Sequence, residues 1–158
     1  MKLLAYRPFY LDPKMGILYS YTAPEWEWPQ HTVVKAQCSV RHVVPDEKCT
    51  CGIHSTLDLL GQREIVEANL EGDRWPILGI VQVLGPTVVE GNILRSQSVF
   101  LWGVIKPANP PQEGNFSDLN AALWNRYRPW IYLDAKEAHE DVKETWEEFQ
   151  IKPVKEKA

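Results

Sequence analysis

The sequence predicts an α+β fold: a small, mostly antiparallel sheet or partial barrel followed by C-terminal helices. Three observations carry this reading. Apolar and polar residues alternate loosely over residues 2–21, and strand-like runs follow at 32–38, 75–85 and 93–105, between Gly, Pro and Asn turns. A Pro/Gly/Asn-rich stretch at 106–115 then interrupts the pattern. Beyond it, two segments carry helix-start residues and apolar positions three and four apart. Seven tryptophans, six tyrosines and twelve prolines in 158 residues also favour short strands and irregular loops over a helical bundle.

The elements follow in order. Residues 2–21 read as a β-hairpin, with Leu3, Ala5, Ile17, Tyr19 and Tyr21 on either side of a turn at Asp12-Pro-Lys-Met-Gly16. Residues 22–29 form a proline-bounded loop holding Trp26 and Trp28, and 32–38 form a strand that delivers Cys38. An irregular loop spans 42–52. Ser55 with Asp58 then makes a capping box for an approximate helix through Leu57, Leu60, Ile65, Ala68 and Asn69, interrupted at Gly61. Residues 75–85 are apolar enough for a strand buried on both faces. Residues 87–90, a Gly91-Asn92 turn and 93–105 extend the sheet. After the break, Ser117 caps a helix over 118–125, and Asp134 with Glu137 opens a longer one through about Gln150. The domain plan is therefore a β-rich core at 1–106 containing the loop 38–54, a linker or long loop at 107–116, a helical extension at 117–151 packed on the core, and a frayed tail at 152–158.

Composition narrows the function classes. A net charge of −4 and a pI near 5.6 argue against a dedicated nucleic-acid binder. No apolar run of about 18 residues offers a membrane span. The N-terminal apolar patch is cut short by Arg7 and Pro8, before the core of a secretory signal. Three cysteines, two of them as Cys-x-Cys, make a poor disulfide framework, so a reducing, cytoplasmic location is expected.

All three cysteines fall within fourteen residues, beside His42 and His54. Thiolates and imidazole at this spacing suit a tetrahedral zinc ion. The expected ligands are Cys38, Cys49, Cys51 and His42, with His54 as the alternative fourth. Three thiolates and one imidazole would close the coordination sphere, which is the mark of a structural and not a catalytic site. Two other readings stand beside this one: plain buried thiols, and a cysteine nucleophile at Cys49 or Cys51 served by His42, His54 or His139. No catalytic residue is assigned, because the chain carries no phosphate loop, zinc-protease helix, nucleophile elbow or dinucleotide fingerprint.

The residues Trp26, Cys38, His42, Pro45, Cys49, Cys51, Gly52 and Ile53, then the run Gly79 to Gly85, Gly91 and Arg95, carry a family resemblance. Over roughly 3–105 the chain resembles a family of small proteins of unknown function common in actinobacterial genomes and phages. That family has an aromatic strand pair, a Cys-bearing strand, a His-x-x-Pro element and a Cys-x-Cys-Gly-Ile-Tyr-Ala turn, followed by a Gly-x-Val-x-Leu-x-Gly strand and Gly-x-Arg. Here His54-Ser55 replaces Tyr-Ala, three residues separate Gly91 from Arg95, and the segment from Pro107 onward has no counterpart. The resemblance implies the fold, a phage or mobile-element association, and His42 over His54 as the fourth ligand.

The remaining candidates concern partners. Trp26 and Trp28, and Trp124, Tyr127, Trp130 and Tyr132 around Arg126 and Arg128, serve either as core or as an interface rich in Trp, Tyr and Arg. The last helix presents an acidic face, including Glu140 and Glu144, opposite a stripe of Ala138, Val142, Thr145, Trp146 and Phe149. The expectation is a non-enzymatic binding protein docking on a host macromolecule, most simply a protein or protein complex, for instance as an inhibitor of a nucleic-acid enzyme or a defence system. Two alternatives remain. One is an enzyme acting on a nucleotide or nucleic acid with Arg95 and His54 in its cleft. The other is a zinc-stabilised nucleic-acid regulator using Arg41, Lys48 and Arg63.

Overall fold

The computed structural model describes residues 2–38, 44–46, 49–68, 70, 72–107 and 116–152, with side chains of the last segment described from residue 120. Arg41, His42, Lys48, Asn69, most of the 107–116 linker, the Ser117 side chain and the tail beyond Lys152 lie outside the described residues.

Seven strands form one mixed sheet: β1 Leu3–Asp12, β2 Ile17–Ser20, β3 Val34–Lys35, β4 Ile53–Thr56, β5 Trp75–Glu90, β6 Ile93–Ile105 and β7 Trp130–Tyr132. Pairing runs β1 to β5, β5 to β6, β6 to β4, and β4 back to β1 through Tyr6 and Thr56. That circuit closes a small, barrel-like ring. Every pairing is antiparallel except β6 with β7. The α+β architecture expected from the sequence is the one observed.

Two turns set the register. Asp12 accepts the Gly16 N–H on its backbone oxygen, and its carboxylate accepts the N–H groups of Lys14 and Met15. Gly16 has φ +67° and lies so close to Ala122 that a Cβ there would stand 2.7 Å from the alanine methyl. The Gly91-Asn92 turn joins β5 to β6 with Glu90 opposite Ile93, as the two-residue loop predicts. β5 pairs with β1 over Trp75–Val83 and with β6 over Gly79–Glu90, and its second register shift, between Leu84 and Thr87, contains Gly85 at φ +73°.

Two helices complete two apolar clusters. α2 (Phe116–Tyr127) places Leu123 and Tyr127 with Phe9, Leu11, Leu18, Trp28, Val81 and Val99. The Tyr127 hydroxyl accepts the Leu18 N–H and donates to the Trp28 carbonyl, tying the helix end to the hairpin and to the tryptophan loop. α3 (Ala135–Glu148) buries Ala138, Val142, Thr145 and Trp146 against Leu4, Tyr6, Ile80 and Tyr132. Its N-cap Asp134 accepts the Glu137 N–H, while Glu137 reaches back to the Leu133 N–H, so the expected start signal operates. On β1, the Leu4 N–H donates to Thr145 Oγ1 and the Leu4 carbonyl accepts from Trp146 Nε1. The helix thus satisfies backbone groups that no strand covers.

Four local expectations change. Ser55 is buried in β4, opposite Leu94, and is no helix cap. Thr56 accepts the Asp58 N–H and Asp58 accepts the Gly61 N–H, leaving room only for one 3-10 turn and the four-residue α1 (Arg63–Val66). The strand expected over 32–38 is ordered as β only at Val34 and Lys35, because β6 shares its second edge among β4, β3 and β7. The C-terminal extension is not purely helical: β7 enters the sheet beside β6. The first of its helices runs further in both directions than 118–125.

The contact between α3 and β1 carries a pH-dependent element. His139 Nδ1 lies 2.8 Å from the Tyr6 hydroxyl, beside Trp146. Burial, and then Lys143, holds the imidazole below its usual value, while burial and Tyr132 push the Tyr6 hydroxyl up. The unfolded chain therefore takes up a proton near pH 6.5 that the folded site refuses. Stability is expected to be full above that pH and to decline as pH falls through it. His139→Gln should flatten part of this slope in urea titrations between pH 7.5 and 5, with His54, also held low by burial, accounting for a remainder. An unchanged slope in the variant would contradict the assignment.

Candidate metal centre

The ring delivers the three cysteines from two directions. After β3, the Ala36 N–H continues the ladder to the Gln97 carbonyl and carries the chain to Cys38. Cys49 and Cys51 arrive on the segment leading into β4, where the Cys49 N–H closes a turn onto the Asp46 carbonyl. The three sulfurs lie within 4.8 Å of one another, with Cys38 Sγ and Cys49 Sγ 3.8 Å apart. None is in a disulfide, which would need about 2.05 Å. Tetrahedral coordination with Zn–S bonds of about 2.3 Å puts two sulfurs about 3.8 Å apart. The three cysteines could hold a metal ion as they stand.

What backs the cluster is Arg95, a buried residue on β6 only 5% exposed. Its guanidinium donates to the carbonyls of Asp46 (3.1 Å), Cys49 and Cys51 (2.8 Å), and to Glu90 Oε1 at 2.9 Å. One cation thereby gathers the backbone carbonyls of Asp46, Cys49 and Cys51. Gly52 permits this closeness: it has φ +113°, and a Cβ there would lie 3.1 Å from Arg95 Cβ and 3.2 Å from Pro45 Cβ. Burial and the two neighbouring thiols hold the Cys51 thiol above its ordinary value, against a downward pull from the Asp46 backbone.

The histidines divide. His54 is exposed on β4, and its ring interacts with the Gly52 carbonyl. It is not part of the sulfur cluster. His139 is engaged by Tyr6, in the cluster closed by α3. His42 lies outside the described residues, and so do Arg41 and Lys48 of the nucleic-acid alternative; Arg63 is exposed and pairs with Glu67 at 3.1 Å.

The catalytic alternative asked for Arg95, His54 and a carboxylate converging in one cleft. His54 and Arg95 are cross-strand neighbours in β4 and β6. Yet the Arg95 side chain turns to the carbonyls of Asp46, Cys49 and Cys51, and among the described residues two concavities bordered by His54 are not lined by Arg95.

The partner candidates also separate. Trp28 is removed from the contact set: it is 2% exposed, packed edge-on against Phe9, and its carbonyl is held by Tyr127. Trp26 remains 42% exposed. Arg126 pairs with Glu27 at 3.6 Å, which places it beside the tryptophan loop, and Arg128 is exposed with φ 52°. Trp124 and Trp130 are exposed, whereas Tyr127 and Tyr132 belong to the core. Glu140 and Glu144 are exposed on α3, which closes the other apolar cluster, so they do not join Trp26 and Arg126 in one patch. Sequence reasoning missed Arg7. Its signal was a charge inside an otherwise apolar strand run, between Tyr6 and Pro8.

Comparison with protein-family models, curated proteins and solved structures returns no match.

Proposed function

We propose that the protein is a binding protein braced by a structural zinc ion, with Cys38, Cys49, Cys51 and His42 as ligands, and that it acts by docking on a host macromolecule without turning over a substrate. A phage or mobile-element origin, implied by the family resemblance, belongs to the same reading. The observation that carries it is the convergence of three sulfurs at tetrahedral-compatible spacing over a guanidinium that holds the loop carbonyls. When bound, zinc would cross-link the segment after β3 to the segment before β4 and so hold the ring's shortest closing strand. A closed sphere of four protein ligands leaves no position for water or substrate, which favours a brace over a reagent. Exposed Trp26 and half-buried Arg126 beside it form the aromatic and cationic contact region on this reading.

Elemental analysis of freshly purified full chain is expected to find one zinc per protein. Affinity capture from host lysate is expected to recover a defined partner, while a nucleotide panel is left chemically unchanged. A metal-free, folded preparation would refute the brace. Turnover of any member of the panel would refute the non-enzymatic reading.

A further inference from the structure

Between the tryptophan loop, β1, β3 and β4 lies a concavity of about 540 Å³, within the size range of small-molecule sites. Its charged lining has one sign. Arg7, Lys35 and His54 border it, and among the described residues no Asp or Glu does. This stands out in a chain of net charge −4.

Arg7 is the unusual member. It takes part in no ion pair among the described residues. Its guanidinium donates to the His54 carbonyl and weakly to Ser20 Oγ at 3.4 Å, and it lies 5.4 Å from the centre of the Trp28 ring. Its Nε has no hydrogen-bond partner, and neither does the neighbouring Trp28 Nε1. Burial lowers its pKa to about 10. Withdrawing a cation from water without a counter-ion is costly, and protein interiors almost always supply a partner. Among the described residues the fold supplies carbonyl and hydroxyl acceptors and ring faces, but no anion. Lys35, at the same concavity, adds to the unbalanced positive potential.

Apart from Thr22 and Gln37, the side chains of the rest of the wall are aromatic or aliphatic. Trp26, partly exposed, stands edge-on to Trp28 at 88° with ring centres 5.3 Å apart, and Val34 and Ile53 also line the space. A bare inorganic anion would leave this aromatic side unused. A ligand with both a phosphate and a planar ring would use all of it: indole faces accept bases with little sequence preference, and paired cations hold phosphate.

We propose that this concavity is a nucleotide-binding site, with Arg7 and Lys35 on the phosphate and Trp26 against the base. The nucleotide is either free or one unit of a single strand. Gly52 and Gln37, neighbours of Cys51 and Cys38, form part of the wall, so the cysteine loop shapes the site without contributing a ligand atom to it.

The test is titration of metal-replete full chain, followed by tryptophan fluorescence and calorimetry. The probes are the four 5′-ribonucleoside monophosphates, a single-stranded tetranucleotide, inorganic phosphate and benzoate. Saturable binding of a monophosphate or of the tetranucleotide is expected, at least ~10-fold tighter than phosphate or benzoate. Lys35→Ala and Trp26→Ala, both at exposed positions, should each weaken it by roughly 10-fold with unchanged melting temperature. Arg7→Lys should weaken it further. A tetranucleotide binding ~10-fold more tightly than any monophosphate marks a strand as the source; comparable affinities mark a free nucleotide. The proposal is overturned if neither nucleotide probe saturates by about 1 mM, if phosphate or benzoate binds as tightly, or if Lys35→Ala and Trp26→Ala leave affinity unmoved. Zinc measured on the same samples separates this site from the brace: nucleotide binding by a metal-free chain would refute only the brace, and stoichiometric zinc without nucleotide binding only the pocket.

Discussion

Cys49→Ser is expected to empty the metal centre and loosen β4 while leaving the remaining sheet folded. The substitution changes one atom, so packing is nearly preserved and the effect reads coordination. Structural zinc sites of this composition bind with apparent free energies of about 10 kcal/mol or more, comparable to the whole stability of a typical domain. That energy can be felt only where the ion is needed for order. The described residues of the loop are half-buried or exposed, and β4 contributes only four residues to the sheet. Its pairing with β6 and its single Tyr6–Thr56 contact with β1 nevertheless close the ring. Loss of metal should therefore speed amide exchange at 51–56 by orders of magnitude. The long β5–β6 pairing, with its own apolar clusters, should stay protected. A chelator should lower the melting temperature of the wild-type protein and do nothing further to the Cys49→Ser variant. Stoichiometric zinc in that variant, or exchange at 51–56 indifferent to chelation, would defeat the assignment.

The parts of this fold that were legible in the sequence are those set by contacts near in sequence. Asp12 to Gly16 and Gly91-Asn92 specify their turns through side-chain acceptors and positive φ, so both long hairpins follow. Asp134 and Glu137 announce α3 for the same reason. The three cysteines could be grouped because two lie one residue apart and the third ends a strand-like run. What was not legible depends on distant partners. Ser55-x-x-Asp58 has the form of a cap, but pairing with Leu94 and Ile93 takes Ser55 and Thr56 into the sheet first. Trp130–Tyr132 is too short to read as a strand without the β6 edge waiting for it. Trp26 and Trp28 look alike in a proline-bounded loop. Phe9, Leu18 and Tyr127, all remote in sequence, decide that one is buried and the other exposed. From its sequence context Arg95 reads as a cleft residue of the enzyme alternative. Its work on three backbone carbonyls has no sequence signal, because carbonyls are present at every residue.

Arg95→Met is expected to destabilise the protein by about 2–4 kcal/mol, mostly through acceptors left without a donor. Methionine keeps most of the stem volume, so the cavity contribution is small. The ion pair with Glu90 contributes little to this figure, because that carboxylate is 60% exposed and rehydrates when released. The carbonyls of Asp46, Cys49 and Cys51 all converge on one guanidinium nitrogen, and they cannot all turn to water while the loop keeps its shape. Three thiolates and a neutral imidazole on a dication would also leave one net negative charge in the loop, which Arg95 offsets. Metal affinity should accordingly fall by roughly 10–100-fold, the usual effect of removing a group that orients the ligands. Arg95→Lys separates charge from shape: an ammonium retains three donors for the carbonyls but reaches less far, so it should recover part of both losses. The decisive comparison is a double-mutant cycle with Cys49→Ser. If Arg95 acts by organising the cysteine loop around an ion, Arg95→Met should cost distinctly less once Cys49→Ser has already released that loop. Full additivity of the two changes would mean that Arg95 supports the sheet directly, and that the loop has no need of it to gather the thiols.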